Sequence, residues 1–214
     1  MDPLPVARAQ LPIDTVALAC YLIGKILVRE LPEGTASGRI VETEAYIIGD
    51  AAGHAYRGPT ARNRSLFLEP GHAYIYLAYG RSFLLNVSSE IAGIGAGVLV
   101  RAIEPGRGIP IMQRNRGTTR LRDLARGPGR LAAALRLDGR LDGIDLCHKG
   151  PLWLGRDDRE PGEIGRSVRI GITREAERPL RFFVRGSPFV SGPRTLAGLR
   201  AVPRGPSGTP NVPA

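Results

Sequence analysis

Two glutamates and a tyrosine alternate in the segment VETEAY, residues 41–46. If this segment is a β-strand, Glu42, Glu44 and Tyr46 lie on one face and the intervening residues lie on the other. Two carboxylates beside an aromatic ring, with apolar neighbours, suit a general base. A strand whose polar face is simply hydrated explains the same pattern, so the segment alone allows both interpretations.

The segment YIYLAYG contains three of the six tyrosines in the chain. Alternating side chains and a glycine at the reversal predict a hairpin, with strands at residues 73–78 and 82–88 and Tyr79 at the tip. Core packing explains Tyr74 or Tyr76, but a large ring at an exposed tip buries little surface. On a basic protein, such a ring suits stacking on nucleic-acid bases or insertion between them.

The sequence contains no motif for a metal or a cofactor. No spacing typical of zinc ligands links its histidines and cysteines, which are His54, His72, His148, Cys20 and Cys147. The zinc-deaminase pattern and the phosphate-binding loop pattern are also missing. We therefore expect a protein that uses neither a metal nor a cofactor.

Positive charge dominates the composition. The 214 residues include 30 lysines and arginines against 20 aspartates and glutamates, so the formal net charge is +10. Only Lys25 and Lys149 are lysines, and a GC-rich genome is a compositional cause of such an arginine bias. A surplus of this size favours a polyanionic partner, either nucleic acid or an acidic membrane surface.

The sequence gives no indication of secretion or membrane insertion. The first ten residues lack the pattern of a signal peptide, and no apolar run approaches the ~18 residues needed to cross a bilayer. Two cysteines are too few for a disulfide framework and suit buried thiols in a reducing compartment. We expect a protein with no membrane partner, located in the cytoplasm, at the nucleoid if bacterial.

Apolar periodicity and turn residues predict a series of short helices and strands. Asp14 is the predicted N-cap of a helix that ends at Gly24. Further helices are expected from about Pro110 and in the segment GPGRLAAALRL. Strands are expected at residues 25–31, 39–48, 73–78, 82–88, 95–105, 168–173 and 179–186.

These elements form a single unit, because neither an internal repeat nor a linker divides the chain. The sequence predicts one compact α+β domain over residues 1–201, with a mainly antiparallel, curved β-sheet, flanking helices and a protruding β-hairpin. Residues 202–214 have the proline and glycine content of a disordered tail.

The motifs follow one another in the order found in one enzyme family. From about Ile13 to Ser191 the chain contains GRIVETEAY, His54, PGHAYIYLAYG, LNVSS, VLVRAIEP, GPGRL, GIDL and RFFVRGSPFVS. In this order they resemble the alkyladenine (3-methyladenine) DNA glycosylases. The resemblance implies an enzyme that flips a damaged purine out of double-stranded DNA and hydrolyses its N-glycosidic bond, leaving an abasic site.

The resemblance also implies catalytic roles. Glu44 would be the general base that activates a water for attack on the sugar C1′. Arg101 and the main-chain carbonyl of Ile170 would help to hold that water. Neither Lys25 nor Lys149 lies in a motif, so no Schiff-base amine is evident and we expect a monofunctional glycosylase that does not cut the strand.

For the base pocket, the resemblance implies contributions from several segments. Tyr46, His54 and Tyr76 would sandwich the extruded base. Asn86 would clash with the exocyclic amine of guanine and so exclude it. Tyr79 would fill the gap that the flipped nucleotide leaves in the stack.

The chain departs from the family pattern after the tip tyrosine. The family usually has Gly-Met followed by an aromatic residue or histidine there, whereas this chain has Gly80, Arg81 and Ser82. The departure affects the expected substrate range more than the reaction. From charge and loop position, we expect phosphate contacts from Arg62, Arg64 and Arg130, although each also suits an ordinary surface arginine. Arg81 suits either a phosphate contact or a change in how the hairpin tip sits in the groove.

Two other classes of function are weighed against this one. A nucleic-acid-binding domain without catalysis would not need Glu44 beside Tyr46 together with His54 and Arg101. An RNA-modifying enzyme with a cofactor is disfavoured by the missing cofactor motifs. The expected partner is double-stranded DNA that contains damaged bases, and the expected oligomeric state is a monomer.

Overall fold

A curved antiparallel β-sheet of nine strands organises the computed structural model, which describes residues 2–193. The strands are β1 (Leu4–Pro5), β2 (Ile26–Leu31), β3 (Gly34–Tyr46), β4 (Ala73–Ala78), β5 (Ser82–Ser88), β6 (Gly97–Pro105), β7 (Leu152–Arg156), β8 (Ile164–Ser167) and β9 (Arg181–Val184). Their order is β1-β7-β2-β3-β6-β5-β4, while β9 pairs with β3 and β8 pairs with β9. Every strand pair is antiparallel, which confirms the predicted α+β class.

Three α-helices flank this sheet within residues 2–193. They are α1 (Thr15–Leu22), α2 (Ile109–Arg116) and α3 (Pro128–Ala134), and short 3-10 turns lie at Arg8–Gln10, Arg64–Phe67, Leu121–Asp123 and Gly139–Leu141. The Asp14 side chain accepts a hydrogen bond from the Ala17 N–H at 2.7 Å, which confirms the predicted N-cap of α1. Helix α1 packs against β3, and α3 packs against β5 and β6. The helices and the sheet enclose one large apolar core.

Strand β3 lies at the centre of the sheet and pairs with three strands. Strand β6 runs along one edge of β3, and β2 and β9 share the other edge. The register of β3 against β6 shifts between Ile40 and Thr43, which marks a β-bulge. Bulges re-aim side chains, and here Val41 packs in a small separate cluster while Ala45 belongs to the main core. Val41 therefore departs from the predicted alternation. The predicted common face of Glu42, Glu44 and Tyr46 agrees with the contacts of both glutamates with Arg101 and with the hydrogen bond from Tyr46 to Glu44.

The predicted hairpin is confirmed at its predicted bounds. Strands β4 and β5 pair from Ala73 opposite Val87 to Ala78 opposite Ser82. Residues 79–81 therefore form the tip.

One predicted strand is wrong, and three observed strands have no predicted counterpart. Residues 168–173 are not a strand, and β8 ends at Ser167, just before them. Gly171 adopts φ of +80°, which a strand does not allow. The Arg169 side chain donates to the Ala45 carbonyl at the end of β3. Strands β1, β7 and β8 have no predicted counterpart, although the β7 segment LWLGR is largely buried. Strand β3 also begins at Gly34 rather than at the predicted residue 39. The predicted tail at residues 202–214 lies outside the described residues.

Two general properties of residues 2–193 bear on the sequence predictions. No helix there is long and apolar enough to cross a membrane. Cys147 is buried and Cys20 is half-buried, and both thiols are free.

Candidate active site

Glu44 is completely buried near the end of β3, and both of its carboxylate oxygens have partners. Its Oε1 accepts a hydrogen bond from the Ile170 N–H at 2.7 Å and lies 3.1 Å from Nη1 of Arg101. Its Oε2 accepts a hydrogen bond from the Tyr46 hydroxyl at 3.1 Å. Three different segments thus hold the carboxylate in one orientation. Ile170 makes this contact through its N–H, and the role predicted for its carbonyl stays a prediction.

Glu42 lies two residues earlier and has a different environment. Its Oε1 accepts hydrogen bonds from Nε of Arg101 at 2.9 Å and from Nε of Arg181 at 2.7 Å. Its Oε2 accepts one from the Ser191 N–H at 2.6 Å. Glu42 therefore orients Arg101, whose Nη1 reaches Glu44.

The two carboxyl groups have pKa values shifted in opposite directions. Burial raises the pKa of Glu44 above its ordinary value, although Arg101 and the Ile170 N–H oppose the shift. Burial acts on Glu42 as well, but Arg101 and Arg181 outweigh it and lower the pKa of that carboxyl. When the environments of two neighbouring carboxyl groups shift their pKa values apart, the group with the lower pKa stays ionised and the group with the higher pKa can exchange protons. Glu42 is the permanent anion, and Glu44 is the group suited to accept a proton.

A cavity of about 370 Å³ adjoins this carboxylate. Glu44 is not itself on the cavity wall, but its three partners Tyr46, Arg101 and Ile170 are. The wall also includes the other predicted pocket residues and two further tyrosines: His54, Tyr76, Asn86, Tyr74 and Tyr79. The fold thus gathers at one cavity all eight residues that the sequence suggested for catalysis, base binding and intercalation. The volume and the aromatic lining are suited to a planar ligand of the size of a nucleobase.

An aromatic cluster forms one side of the cavity. The His54 and Tyr76 ring centroids are 4.3 Å apart, and the Tyr74 and Tyr76 rings stack at 5.2 Å. Nδ1 of His54 lies 2.9 Å from the Tyr74 hydroxyl, so Tyr74 orients the imidazole as well as packing the hairpin. Desolvation by the surrounding residues and the charge of Arg62 lower the pKa of His54, which favours a neutral ring.

Two asparagines support this side of the cavity, Asn86 on its wall and Asn63 behind it. Asn86 is buried on β5, and its side-chain amide donates to the Tyr74 carbonyl at 3.4 Å. Asn63 donates through Nδ2 to the carbonyls of His54 at 2.8 Å and Gly58 at 3.0 Å, and so fixes the loop that carries His54. Sequence reasoning missed Asn63 as well as Tyr74. The only sign of Asn63 was its polar side chain between two arginines, which also suits an ordinary surface loop.

Tyr79 protrudes from the tip of the hairpin and is 92% exposed. It adopts φ of +50°, and Gly80 beside it adopts +65°. The Arg81 N–H closes the turn on the Ala78 carbonyl at 3.0 Å. A left-handed conformation costs a residue with a side chain about 1–2 kcal/mol. Neither packing nor backbone preference explains a large ring at this position, which indicates a functional role.

The four arginines predicted at the DNA backbone differ in their relation to the cavity. Arg62 lies beside it, with Nη2 donating to the Leu77 carbonyl at 3.2 Å and the guanidinium 5.9 Å from the Tyr76 ring centroid. Arg81 is exposed at the hairpin tip. Arg64 and Arg130 are exposed but do not line the cavity, and Nη1 of Arg130 pairs with Oδ1 of Asp123 at 3.1 Å. A phosphate contact stays a prediction for all four.

The family model for methylpurine-DNA glycosylase matches residues 9–188 of this chain. The chain belongs to this family. As a methylpurine-DNA glycosylase it is a hydrolase of base excision repair that acts on DNA. This result confirms the resemblance that the motifs indicated.

Relatives from three bacteria are similar over most of this methylpurine-DNA glycosylase. A protein of Mesorhizobium japonicum is 72% identical over 195 residues, which cover 91% of this chain and 94% of the relative. A protein of Paraburkholderia phytofirmans is 54% identical over 193 residues, 90% of this chain and 91% of the relative. One of Rubrobacter xylanophilus is 49% identical over 177 residues, 83% of this chain and 92% of the relative. All three are assigned as 3-methyladenine DNA glycosylases.

Proposed function

We propose that this protein is a monofunctional DNA glycosylase that flips alkylated or deaminated purines out of duplex DNA. The base enters the aromatic cavity, and a water activated by Glu44 hydrolyses the N-glycosidic bond to leave an abasic site. The observation that carries this proposal is the buried Glu44 carboxylate, whose three partners Tyr46, Arg101 and Ile170 are also walls of the cavity. The assignments of the relatives as 3-methyladenine DNA glycosylases support the alkylated-purine part of this range.

In the proposed reaction, a water held among the Glu44 partners attacks C1′ of the flipped nucleotide. The bond from the water oxygen to C1′ forms, the bond from C1′ to the base nitrogen breaks, and the base takes the electron pair. The ionised Glu44 accepts the proton of the water and stabilises the positive charge that develops on the sugar. Since burial disfavours the charged form of Glu44, the carboxylate is a stronger base than an exposed glutamate.

Arg101 and the Ile170 N–H orient the general base in this mechanism. Both contact Oε1 of Glu44, while the Tyr46 hydroxyl contacts Oε2, so the carboxylate is held in one orientation. Burial and the nearby Glu44 carboxylate raise the pKa of Tyr46, so its hydroxyl stays protonated and donates. Arg101 is held by Glu42 and therefore does not need to move during the reaction.

The flipped base would be held by the aromatic walls, and the gap in the duplex would be filled by Tyr79. Flipping costs a few kcal/mol, least for a damaged or mispaired base. Stacking of a base on an aromatic ring returns about 1–3 kcal/mol. We propose that Asn86, which lines the cavity, excludes guanine by a clash with the exocyclic amine of that base.

Strand cleavage is not part of the proposed reaction. The Schiff-base route needs an amine at C1′, and neither Lys25 nor Lys149 lines the cavity. We also propose that the protein acts on double-stranded DNA as a monomer.

The test uses duplex DNA that contains one hypoxanthine, ethenoadenine or 3-methyladenine. The product is measured as alkali-induced cleavage at the abasic site, with an untreated sample to detect direct strand cleavage. We expect base release followed by cleavage only in alkali. Tight binding of the lesion duplex without base release would instead indicate a nucleic-acid-binding domain without catalysis.

A further inference from the structure

A buried ion pair lies behind the aromatic wall of the cavity and takes no part in the proposed chemistry. The side chains of Arg169 and Asp50 are both completely buried. Nη1 of Arg169 contacts Oδ2 of Asp50, and Nη2 donates to Oδ1 at 3.1 Å, so the pair is bidentate. Burying two charges carries a large desolvation penalty, and such a pair often adds little stability over apolar side chains. Its presence beside the active site therefore points to a purpose other than stability.

The contacts of Arg169 explain its burial, because they join two parts of the site, the end of β3 and the loop that contains Ile170. Nη1 donates to the Ala45 carbonyl at 3.0 Å, next to Tyr46, and the guanidinium carbon lies 4.6 Å from the Tyr46 ring centroid. The following residue is Ile170, whose N–H binds Glu44. Arg169 thus holds the end of β3 against the loop that supplies Ile170.

This position brings a full positive charge close to the cavity. Tyr46 lines the cavity, whereas Arg169 does not, so the guanidinium lies behind the ring. A base stacked on the cavity side of Tyr46 would lie roughly 9 Å from that charge, given the usual spacing of stacked rings. Without compensation, a cation at this distance in a partly dry site weakens the binding of a second cation by a factor on the order of ten.

We propose that Asp50 is a specificity-determining residue, whose carboxylate cancels the charge of Arg169 behind Tyr46 and lets the cavity accept cationic as well as neutral purines. The inference rests on the proposed function and names its substrate class more closely. N3- or N7-alkylated purine nucleosides carry a positive charge, whereas hypoxanthine and ethenoadenine nucleosides are neutral. A neutral wall admits both groups, and the negative faces of the aromatic rings then attract the cationic ones.

Asp50 also makes a local contact that a test of its charge must preserve. Its Oδ1 also accepts a hydrogen bond from the Ala52 N–H at 3.0 Å, in the turn that leads to His54. Asparagine is nearly isosteric with aspartate, and its side-chain oxygen can accept the same bond. Asp50→Asn therefore removes the charge while it keeps the shape of the turn.

The experiment measures single-turnover base release from two duplexes, one with 3-methyladenine and one with hypoxanthine, and compares the ratio of the two rates. For Asp50→Asn, we expect the ratio of cationic to neutral base release to fall on the order of tenfold below the wild-type ratio. For Arg169→Gln, the ratio should stay at or above the wild-type value, because the buried cation is gone. For the double variant Asp50→Asn/Arg169→Gln, it should return to within about threefold of wild type, since no unpaired charge is left.

Asp157→Asn is the matched control, since Asp157 pairs with Arg39 away from the cavity and its loss should leave the ratio unchanged. An unchanged ratio in Asp50→Asn would overturn the inference. So would an equal fall of the ratio in Arg169→Gln, because removing the buried cation cannot weaken the binding of a cationic base through charge repulsion. If Asp50→Asn does not fold, Arg169→Gln alone tests the proposal. A fall in its ratio of cationic to neutral base release would contradict the proposal. A wild-type protein that releases neither base would overturn the proposed function itself, which is a distinguishable result.

Discussion

The environments of Glu44 and of the hairpin tip at Tyr79 differ in burial and in the number of contacts, although both adjoin the same cavity. Glu44 is held by three partners inside the sheet, while Tyr79 is 92% exposed on a strained turn. A general base needs a fixed position and a shifted pKa, and both require a dry and rigid environment. A ring that enters a DNA stack must be free of contacts before it binds. The two proposed roles therefore fall at the most tightly held and the most exposed parts of the site.

The largest expected effect comes from replacing Glu44, the proposed general base. Glu44→Gln keeps the shape of the side chain but cannot accept a proton from water. We expect the single-turnover rate of base release to fall by about 10² to 10⁴-fold, with the affinity for lesion duplex retained. Rate measurements at saturating enzyme and a binding titration check both parts. A rate within threefold of wild type would remove Glu44 from the role of general base.

The second prediction separates the two carboxylates by their effect on stability. Glu42→Gln leaves the buried guanidinium groups of Arg101 and Arg181 without their shared partner, so we expect a loss of about 3–5 kcal/mol. Urea unfolding at neutral pH measures this change. Because folding lowers the pKa of Glu42, its ionised form stabilises the fold above the unfolded pKa, and this contribution is lost as the pH falls through the folded pKa. The difference in the free energy of unfolding between wild type and Glu42→Gln should become smaller at acidic pH.

Glu44→Gln is the matched control for this comparison. Folding raises the pKa of Glu44, so the stability linked to this group is present below the unfolded pKa and is lost as the pH rises through the folded pKa. At neutral pH the variant should therefore be at least as stable as wild type. Equal destabilisation by both substitutions would contradict the division of roles between the two carboxylates.

The third prediction concerns the tip. Asparagine tolerates positive φ better than tyrosine does, so Tyr79→Asn should leave the fold unchanged or stabilise it by up to about 1 kcal/mol. The same change removes a stacking ring, and we expect affinity for an abasic-analogue duplex to fall by roughly tenfold. Thermal unfolding and fluorescence anisotropy measure the two effects. Unchanged affinity would show that the tip does not enter the duplex.

The smallest expected effect tests the charges around the cavity. Affinity for duplex DNA should fall by tens-fold over a few-fold rise in salt if several arginines contact phosphates. Arg62→Gln should reduce the slope of log affinity against log salt concentration by about 1. Arg107→Gln is a suitable control, because Arg107 is exposed and pairs with Asp2 away from the aromatic cavity. If both substitutions change the slope equally, Arg62 has no special place in the interface.

Local sequence patterns predicted the parts of the fold that depend on near neighbours. The Asp14 cap, the hairpin bounds and the long strand of VETEAY follow from capping chemistry, turn residues and side-chain period, which act within a few residues. The loop at residues 168–173 did not follow. Its alternating apolar residues favour a strand, but the contacts of Arg169 with Asp50 and Ala45 draw it across the end of β3.

At the candidate site, the sequence likewise predicted which residue types are present but not which contacts they make. The motifs alone indicated the glutamate, the pocket aromatics and the tip tyrosine, because the side chains required by the chemistry are few and distinctive. The motifs did not indicate the roles of Tyr74, Asn63 and Asp50. Each of these side chains bonds to a residue that is distant in the sequence: Tyr74 and Asn63 contact His54, and Asp50 contacts Arg169.

The sequence by itself determined which reactive side chains are present, and their order identified the family. Only the tertiary structure decided which of two neighbouring glutamates is permanently charged and which can exchange a proton. The physical reason is that a pKa depends on burial and on charges at a few ångströms, and here those charges come from Arg101 and Arg181, dozens of residues away along the chain.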